Sequence, residues 1–285
     1  MDLIIQSPDL PTDAVEAFKV ACLAQSVKRK LNSARLKNIQ DDADTRKAAA
    51  ALSDYWQCDA AFVEPEAKLS DYRVLAMDMD STLINIESLD EVAALAGKGA
   101  QVAAITEAAM RGDIADYAES LRRRVAMLEG TDASLLDRVL KEKLQLNPGA
   151  EALIAAAQRH GLKTLLVSGG FTYFTEPMKA RLGLDATCSN ELGIVHGKLS
   201  GKVTGPHGGP IIDAAGKAQA LTEFCERVGC HTHQSIAIGD GANDLKMMTC
   251  AGLSVAYRAK PVVRAQATQA LTYSPLDGVL EWFAH

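Results

Sequence analysis

The sequence has no apolar run near the roughly 20 residues that cross a bilayer, and only 5% of its residues are aromatic. That pattern excludes a membrane-spanning role, including that of a phosphate-driven ion pump. Basic charge is also scarce: 30 Lys and Arg stand against 36 Asp and Glu, for a net charge of −6. The one basic cluster, Arg122-Arg123-Arg124, is too short to overcome the repulsion between an acidic surface and a nucleic-acid backbone. Among the six cysteines no C-x-x-C pair occurs, so a reduced, cytoplasmic protein is expected. Cys230-His231-Thr232-His233 lacks a fourth ligand at metal-site spacing and is expected to be a solvated loop. The opening Met-Asp-Leu-Ile-Ile-Gln carries an acid second and only a brief apolar stretch, unlike a secretory signal.

What is present is an ordinary globular composition, 48% apolar and 23% charged over 285 residues. A chain of that length suits about two domains. Residues 1–70 read as a small α/β unit, with strands at 3–6, 34–39 and 60–63 and helices at 12–28 and 44–56. Glu64-Pro65-Glu66 reads as a linker. No chemistry-bearing cluster falls in this unit, so a packing or dimerising module is expected rather than a catalytic one, with a regulatory role left open and the chain a monomer or homodimer.

From residue 71 to 285 the pattern changes. Short apolar runs at 73–77, 163–167, 235–238 and 253–257 alternate with helical stretches at 150–160, 172–182 and 217–228. Buried strands alternating with helices predict a Rossmann-like parallel sheet with helices on both faces. Right-handed crossovers then bring the strand C-termini to one edge, where ligands bind in open α/β sheets. Two insertions interrupt the alternation. A helical one at about 86–146 is expected to form a cap, and 190–204 reads as a β-hairpin turning at His196-Gly197. Pro206-His207-Gly208-Gly209-Pro210 follows as a turn.

The polar clusters come immediately after the apolar runs. Asp78 and Asp80 are separated by one residue, so they project to one side of an extended chain. One carboxylate can attack phosphorus while the other moves the proton of the leaving oxygen. Taken alone, two exposed loop aspartates would look the same. Asp240 and Asp244 offer oxygen ligands suited to Mg²⁺, although Asn243 and Asp244 would also serve a turn and helix cap. Four acids and a phosphate dianion converging at one edge would repel strongly, so a cation and fixed positive groups are required. Lys217 can supply one charge, and Ser168-Gly169, expected at a helix start, offers a hydroxyl and open N–H groups to an anion.

The order and local setting of these features resemble the haloacid-dehalogenase-like hydrolase superfamily, through DMDST (78–82), SGG (168–170), Lys217 and GDGAND (239–244). Within it the chain resembles the branch acting on O-phosphoserine, from about Val74 to Pro261. IESLDEVA (86–93), ITEAAMRG (105–112), SLRRRV (120–125), SGGFT (168–172) and IAIGDGANDLKM (236–247) carry that likeness. The resemblance implies Asp78 as nucleophile and Asp80 as general acid and base. It implies Mg²⁺ on Asp78, Asp240 and the Asp80 carbonyl, with Asp244 supporting its water shell. Ser168, Gly169, Lys217 and Asn243 would contact the phosphate or the substrate beside it. Glu87 would take the substrate ammonium and Arg124 its carboxylate, because guanidinium binds carboxylate bidentately. Three successive helical arginines fan out by ~100° each, so only one faces inward; Arg124 fits best and Arg123 is the fallback. Met110 is expected to line the pocket. Two rivals remain. One is a phosphatase or phosphotransferase for another small phosphorylated amino acid or metabolite. The other is a serine-binding regulatory protein without chemistry.

Overall fold

The computed structural model describes residues 1–111, 113–114 and 116–284. The Met110 side chain, expected in the pocket, lies outside the described residues. In chain order the strands are β1 (Asp2–Gln6), β2 (Ser26–Arg29), β3 (Ser33–Lys37), β4 (Asp59–Val63), β5 (Val74–Met77), β6 (Lys163–Phe171), β7 (Ala186–Val195), β8 (Lys198–Thr204), β9 (Ser235–Gly239), β10 (Leu253–Tyr257) and β11 (Gln269–Leu271). The helices are α1 (Thr12–Ala21), α2 (Ala43–Trp56), α3 (Ser88–Leu95), α4 (Gly99–Met110), α5 (Tyr117–Ala126), α6 (Ser134–Arg138), α7 (Ala150–Arg159), α8 (Thr172–Leu182), α9 (Ala214–Val228), α10 (Leu245–Cys250) and α11 (Pro261–Arg264).

The first four strands form an antiparallel sheet of order β2-β3-β1-β4. The other seven follow the order β11-β10-β9-β5-β6-β7-β8. In it β9, β10 and β11 run parallel, as do β6 and β7, while β8 returns antiparallel to β7. Every residue of β5, β9 and β10 is buried, as expected of strands covered on both faces. The chain is thus α/β, a mixed and largely parallel sheet with a separate small antiparallel sheet at its N-terminus. Among the described residues no helix is long and apolar enough to cross a membrane.

By contact density the chain forms two compact units. One comprises Met1–Leu75, Pro148–Lys163 and His233–His285. Its N-terminal sheet buries Leu3, Ile5, Leu36 and Cys58 against Ala14, Val15 and Phe18 of α1 and Ala49 of α2. Each large apolar side chain so buried contributes about 1.5–3 kcal/mol. On the opposite face Arg35 pairs with Asp2 at 3.2 Å and donates to the carbonyls of Glu281, Trp282 and Phe283. Asp59 accepts the backbone N–H groups of Thr272, Tyr273 and Ser274. The other unit comprises Ala76–Asn147 and Thr164–Thr232. There the segment after α5 joins β8 through Gly130 N–H to Leu199 O and Leu199 N–H to Thr131 O, both 2.8 Å.

The helix expected over 12–28 is shorter. It ends at Ala21, Leu23 takes φ +52°, and 26–29 becomes the edge strand β2. The buried face Ala14, Val15, Phe18, Cys22 has no apolar successor at helical spacing, because Gln25, Ser26 and Arg29 follow. The turn between β7 and β8 falls on His196 and Gly197, whose φ values of +49° and +75° suit a two-residue hairpin. β7 begins earlier, at Ala186, and pairs with β6 before it meets β8.

Candidate active site

Asp78 ends the buried run of β5. Met79–Leu83 then make one π-type turn, in which Asp80 is extended and Ser81 takes φ +58°. A left-handed serine costs roughly 1–2 kcal/mol, offset by a web of hydrogen bonds. Ser81 N–H donates to Ile86 O, Leu83 N–H to Asp78 O and Ile84 N–H to Met79 O. Asn147, 5% exposed, donates from Nδ2 to the carbonyls of Thr82 and Ile84 at 2.9 and 3.0 Å. The turn therefore holds both carboxylates without helix or strand around them.

Asp78 is 5% exposed and Lys217, in the first turn of α9, is fully buried. Lys217 Nζ lies 2.7 Å from Asp78 Oδ1, which also accepts Met79 N–H at 2.8 Å. A buried charge of either kind is tolerable only with its partner. Asp80 Oδ2 accepts the Ser88 hydroxyl at 2.9 Å, while Asp80 Oδ1 is buried with no hydrogen-bond partner. Burial, and after it the nearby Glu87 charge, push the Asp80 carboxyl up to about 8. That upward shift favours the protonated carboxyl, the form a general acid needs. Glu87 Oε1 accepts the Ser81 hydroxyl at 2.6 Å.

Helix α5 separates its three arginines as the helical fan requires. Arg123 Nε donates to Glu119 at 2.7 Å and its side chain is 56% exposed. Arg122 is exposed, whereas Arg124 is half-buried and its Nε is buried without a partner. Tyr117 lies seven residues before Arg124, two turns away on one face. Its hydroxyl reaches the Gly169 carbonyl at 3.5 Å. Burial raises the Tyr117 phenol, Lys217 and Arg124 draw it down, and Asp78 and Asp80 push it up again. The inward face of α5 thus shares one electrostatic environment with Lys217 and the two acids.

Ser168-Gly169 does not sit at a helix start. β6 continues through Phe171 and α8 begins at Thr172. Strand pairing with β7, which shifts register between Val167 and Phe171, keeps this segment extended. Ser168 is 1% exposed and its Oγ accepts Gly170 N–H at 2.8 Å. The Gly169 carbonyl accepts Asn190 Nδ2 at 2.8 Å, and Asn190 Oδ1 accepts Ile212 N–H at 2.8 Å. A Cβ on Gly169 would lie 2.1 Å from the Tyr117 hydroxyl, so a side chain there would displace that ring.

Asp240 follows β9 and is half-buried, while Asp244 is fully buried at the end of the short turn Ala242–Asp244. Gly241 N–H donates to Asp244 Oδ2 at 3.0 Å. A Cβ on Gly239 would lie 2.4 Å from the Asp244 carboxyl carbon, so only glycine admits that side chain. Asn243 is half-buried beside Gly241. Among the described residues, Asp78, Asp240 and Asp244 form a cluster of acids whose oxygens lie within 4.8 Å of one another and could hold a metal ion. An all-oxygen, multiply anionic donor set fits a hard divalent cation.

Asn147, Asn190, Ser88 and Tyr117 escaped sequence reasoning. Ser88 had a signal beside Glu87, and Tyr117 had one in its heptad spacing to Arg124. The two asparagines had none, since each acts on backbone far along the chain.

A family profile for haloacid dehalogenase-like hydrolases matches residues 75–249. A phosphoserine phosphatase of Polaromonas sp. is 54% identical over 217 residues, 76% of this chain and 92% of that protein. The crystal structure of a probable phosphoserine phosphatase from Vibrio cholerae, unliganded, superposes with a TM-score of 0.82 at 35% identity, over 99% of this chain and 85% of that one. A substrate-bound phosphoserine phosphatase complex superposes with a TM-score of 0.68 at 32% identity, over 75% of this chain and 99% of that one. The chain belongs to the haloacid dehalogenase-like hydrolase family.

Proposed function

We propose that this chain is a Mg²⁺-dependent phosphoserine phosphatase, hydrolysing O-phosphoserine to serine and phosphate through an aspartyl-phosphate on Asp78. One observation carries the choice of substrate. Two buried atoms of the site have no partner within the protein, Asp80 Oδ1 and Arg124 Nε. O-phosphoserine offers what each lacks: an ester oxygen for the Asp80 proton and a carboxylate for Arg124, with Glu87 left for the ammonium. The relatives bearing that name support the same substrate.

In the proposed reaction the Asp78 carboxylate attacks phosphorus as the bond to the serine oxygen breaks. Asp80 gives its proton to that oxygen, and serine leaves. Water then attacks the aspartyl-phosphate, Asp80 takes its proton, the bond to Asp78 breaks, and phosphate departs with Asp80 reprotonated. Lys217, the Ser168 hydroxyl, Gly169 N–H and Asn243 steady the phosphoryl oxygens throughout. Bound Mg²⁺, held by Asp78, Asp240 and the Asp80 carbonyl with Asp244 behind its waters, would supply the positive charge that admits a dianion among these acids. Residues 86–146 are assigned as a cap presenting Glu87 and Arg124, and residues 1–70 as a separate small domain. The six cysteines are free, in keeping with a cytoplasmic setting.

The test is a panel of small phosphomonoesters, assayed with Mg²⁺ and again after chelation. O-phosphoserine should be the preferred substrate and chelation should stop turnover. A product phosphorylated on an added alcohol would identify a phosphotransferase instead. Asp78→Asn should abolish turnover while circular dichroism shows a folded chain; retained activity would mean the nucleophile is another residue.

A further inference from the structure

Helix α9 ends in a tight hydrogen-bonded cap. Gly229 follows it in the left-handed region, at φ +79°, and donates its N–H to Glu226 O at 3.0 Å. Cys230 N–H reaches back to Cys225 O at 2.9 Å. Together these bonds make a Schellman cap, in which the side chain three places before the cap residue meets the one two places after it. Two apolar side chains commonly fill those positions. Here both are cysteines, in a C-x₄-C spacing. Leucine or valine would pack the cap as well, so what sets the thiols apart is their chemistry.

The cap also sets the distance. Between the two residues the path Cα–C–O···N–Cα would measure only about 7 Å if straight. It bends, so the Cα atoms come within the reach of about 6.8 Å that a disulfide allows. Both cysteines are unlinked, and they differ in access. Cys225 is 1% exposed, whereas Cys230 is half-buried. Burial, and after it the charge of the neighbouring Cys230 and a hydrogen bond with it, raise the Cys225 thiol, which favours its protonated form. Contact with an outside reagent therefore falls to Cys230. Cys188 of β7 is another cysteine near α9, close enough to Glu223 and Arg227 to feel their charges.

We infer that Cys225 and Cys230 form a reversible dithiol–disulfide site, oxidised by a small disulfide of the glutathione class, at the C-terminal end of the helix whose first turn carries Lys217. The Cys230 thiolate attacks one sulfur of the small disulfide. That S–S bond breaks, and one small thiol leaves with the proton Cys230 gave up. Cys225, as thiolate, then attacks the Cys230 sulfur. The mixed disulfide breaks, the second small thiol takes the Cys225 proton, and two electrons have passed from the protein to the reagent. Disulfides in reducing compartments are usually transient bonds of this kind.

The test treats the folded, full-length chain with oxidised glutathione, blocks remaining thiols by alkylation, and digests with trypsin without reduction. Trypsin cuts after Arg227, so residues 218–227 and 228–246 fall in separate peptides. Mass spectrometry should find these two joined by a bond that dithiothreitol releases. Cys225→Ser should stop at a glutathione adduct on the 228–246 peptide, because the resolving thiol is gone. Cys230→Ser should give neither product. Circular dichroism checks that each variant folds, and the wild-type result decides the matter without them. Three results would overturn the proposal. The two wild-type peptides stay unjoined; Cys225 or Cys230 links chiefly to the peptide of Cys188; or the glutathione adduct persists on wild-type Cys230.

Discussion

On the proposed reading, replacing Arg124 by alanine should separate recognition of the amino-acid end from chemistry on phosphorus. The guanidinium Nε is already buried and unpartnered, so much of its desolvation is complete before substrate arrives. Truncating one partner of a buried, hydrogen-bonded charge pair costs about 2–5 kcal/mol. Because Arg124 is only half-buried, the lower part of that range applies, about 2–3 kcal/mol, or roughly 30- to 160-fold in kcat/KM. An aryl phosphate has no carboxylate, and its hydrolysis should change by less than about threefold, the level of an ordinary exposed substitution. Arg123→Ala is the internal control. Its exposed pair with Glu119 is worth only about 0.3–0.5 kcal/mol, so both substrates should be nearly unaffected. The assay is initial-rate phosphate release from O-phosphoserine and an aryl phosphate, with Mg²⁺ saturating. Equal losses on the two substrates, or a larger loss from Arg123→Ala, would refute the assignment.

Lys217→Met should lower turnover on every phosphomonoester by about 10²–10³, the usual effect of removing one fixed electrostatic contact to a developing charge. It should also destabilise the chain by about 3–5 kcal/mol, because Asp78 is left buried without its counter-charge; a loss under tenfold with an unshifted urea midpoint would show the pair to be incidental. Asp42 caps α2, and the backbone N–H of Thr45 holds its carboxyl below the usual aspartate value of 3.8. A depressed folded-state value stabilises the chain above the unfolded value and is lost as pH falls through the folded one. Asp42→Ala should therefore lower the urea midpoint at pH 7 and converge with wild type well below pH 3.8. A difference that persists unchanged in acid would show that the cap's charge has no part in it.

Much of the core was readable locally. The runs at 73–77, 163–167, 235–238 and 253–257 became β5, β6, β9 and β10 because an all-apolar run of strand length fits only a sheet covered on both faces. The small unit was read less well. The helix expected over 12–28 ran into β2 because a short edge strand, half of it polar, has no strong period of its own. SGG was misplaced at a helix start because glycine pairs mark turns, and only the pairing of β6 with β7 keeps this one extended.

The sequence alone determined the class of fold and which acids follow which strands, since the periodicity of apolar residues and the residue after each run are local properties. Tertiary structure decided which arginine of α5 is half-buried, that Lys217 meets Asp78, and that burial raises the Asp80 carboxyl. Each of these depends on burial and on partners supplied by remote segments. Dielectric and hydrogen-bond supply belong to the packed molecule, and a string of residues carries neither.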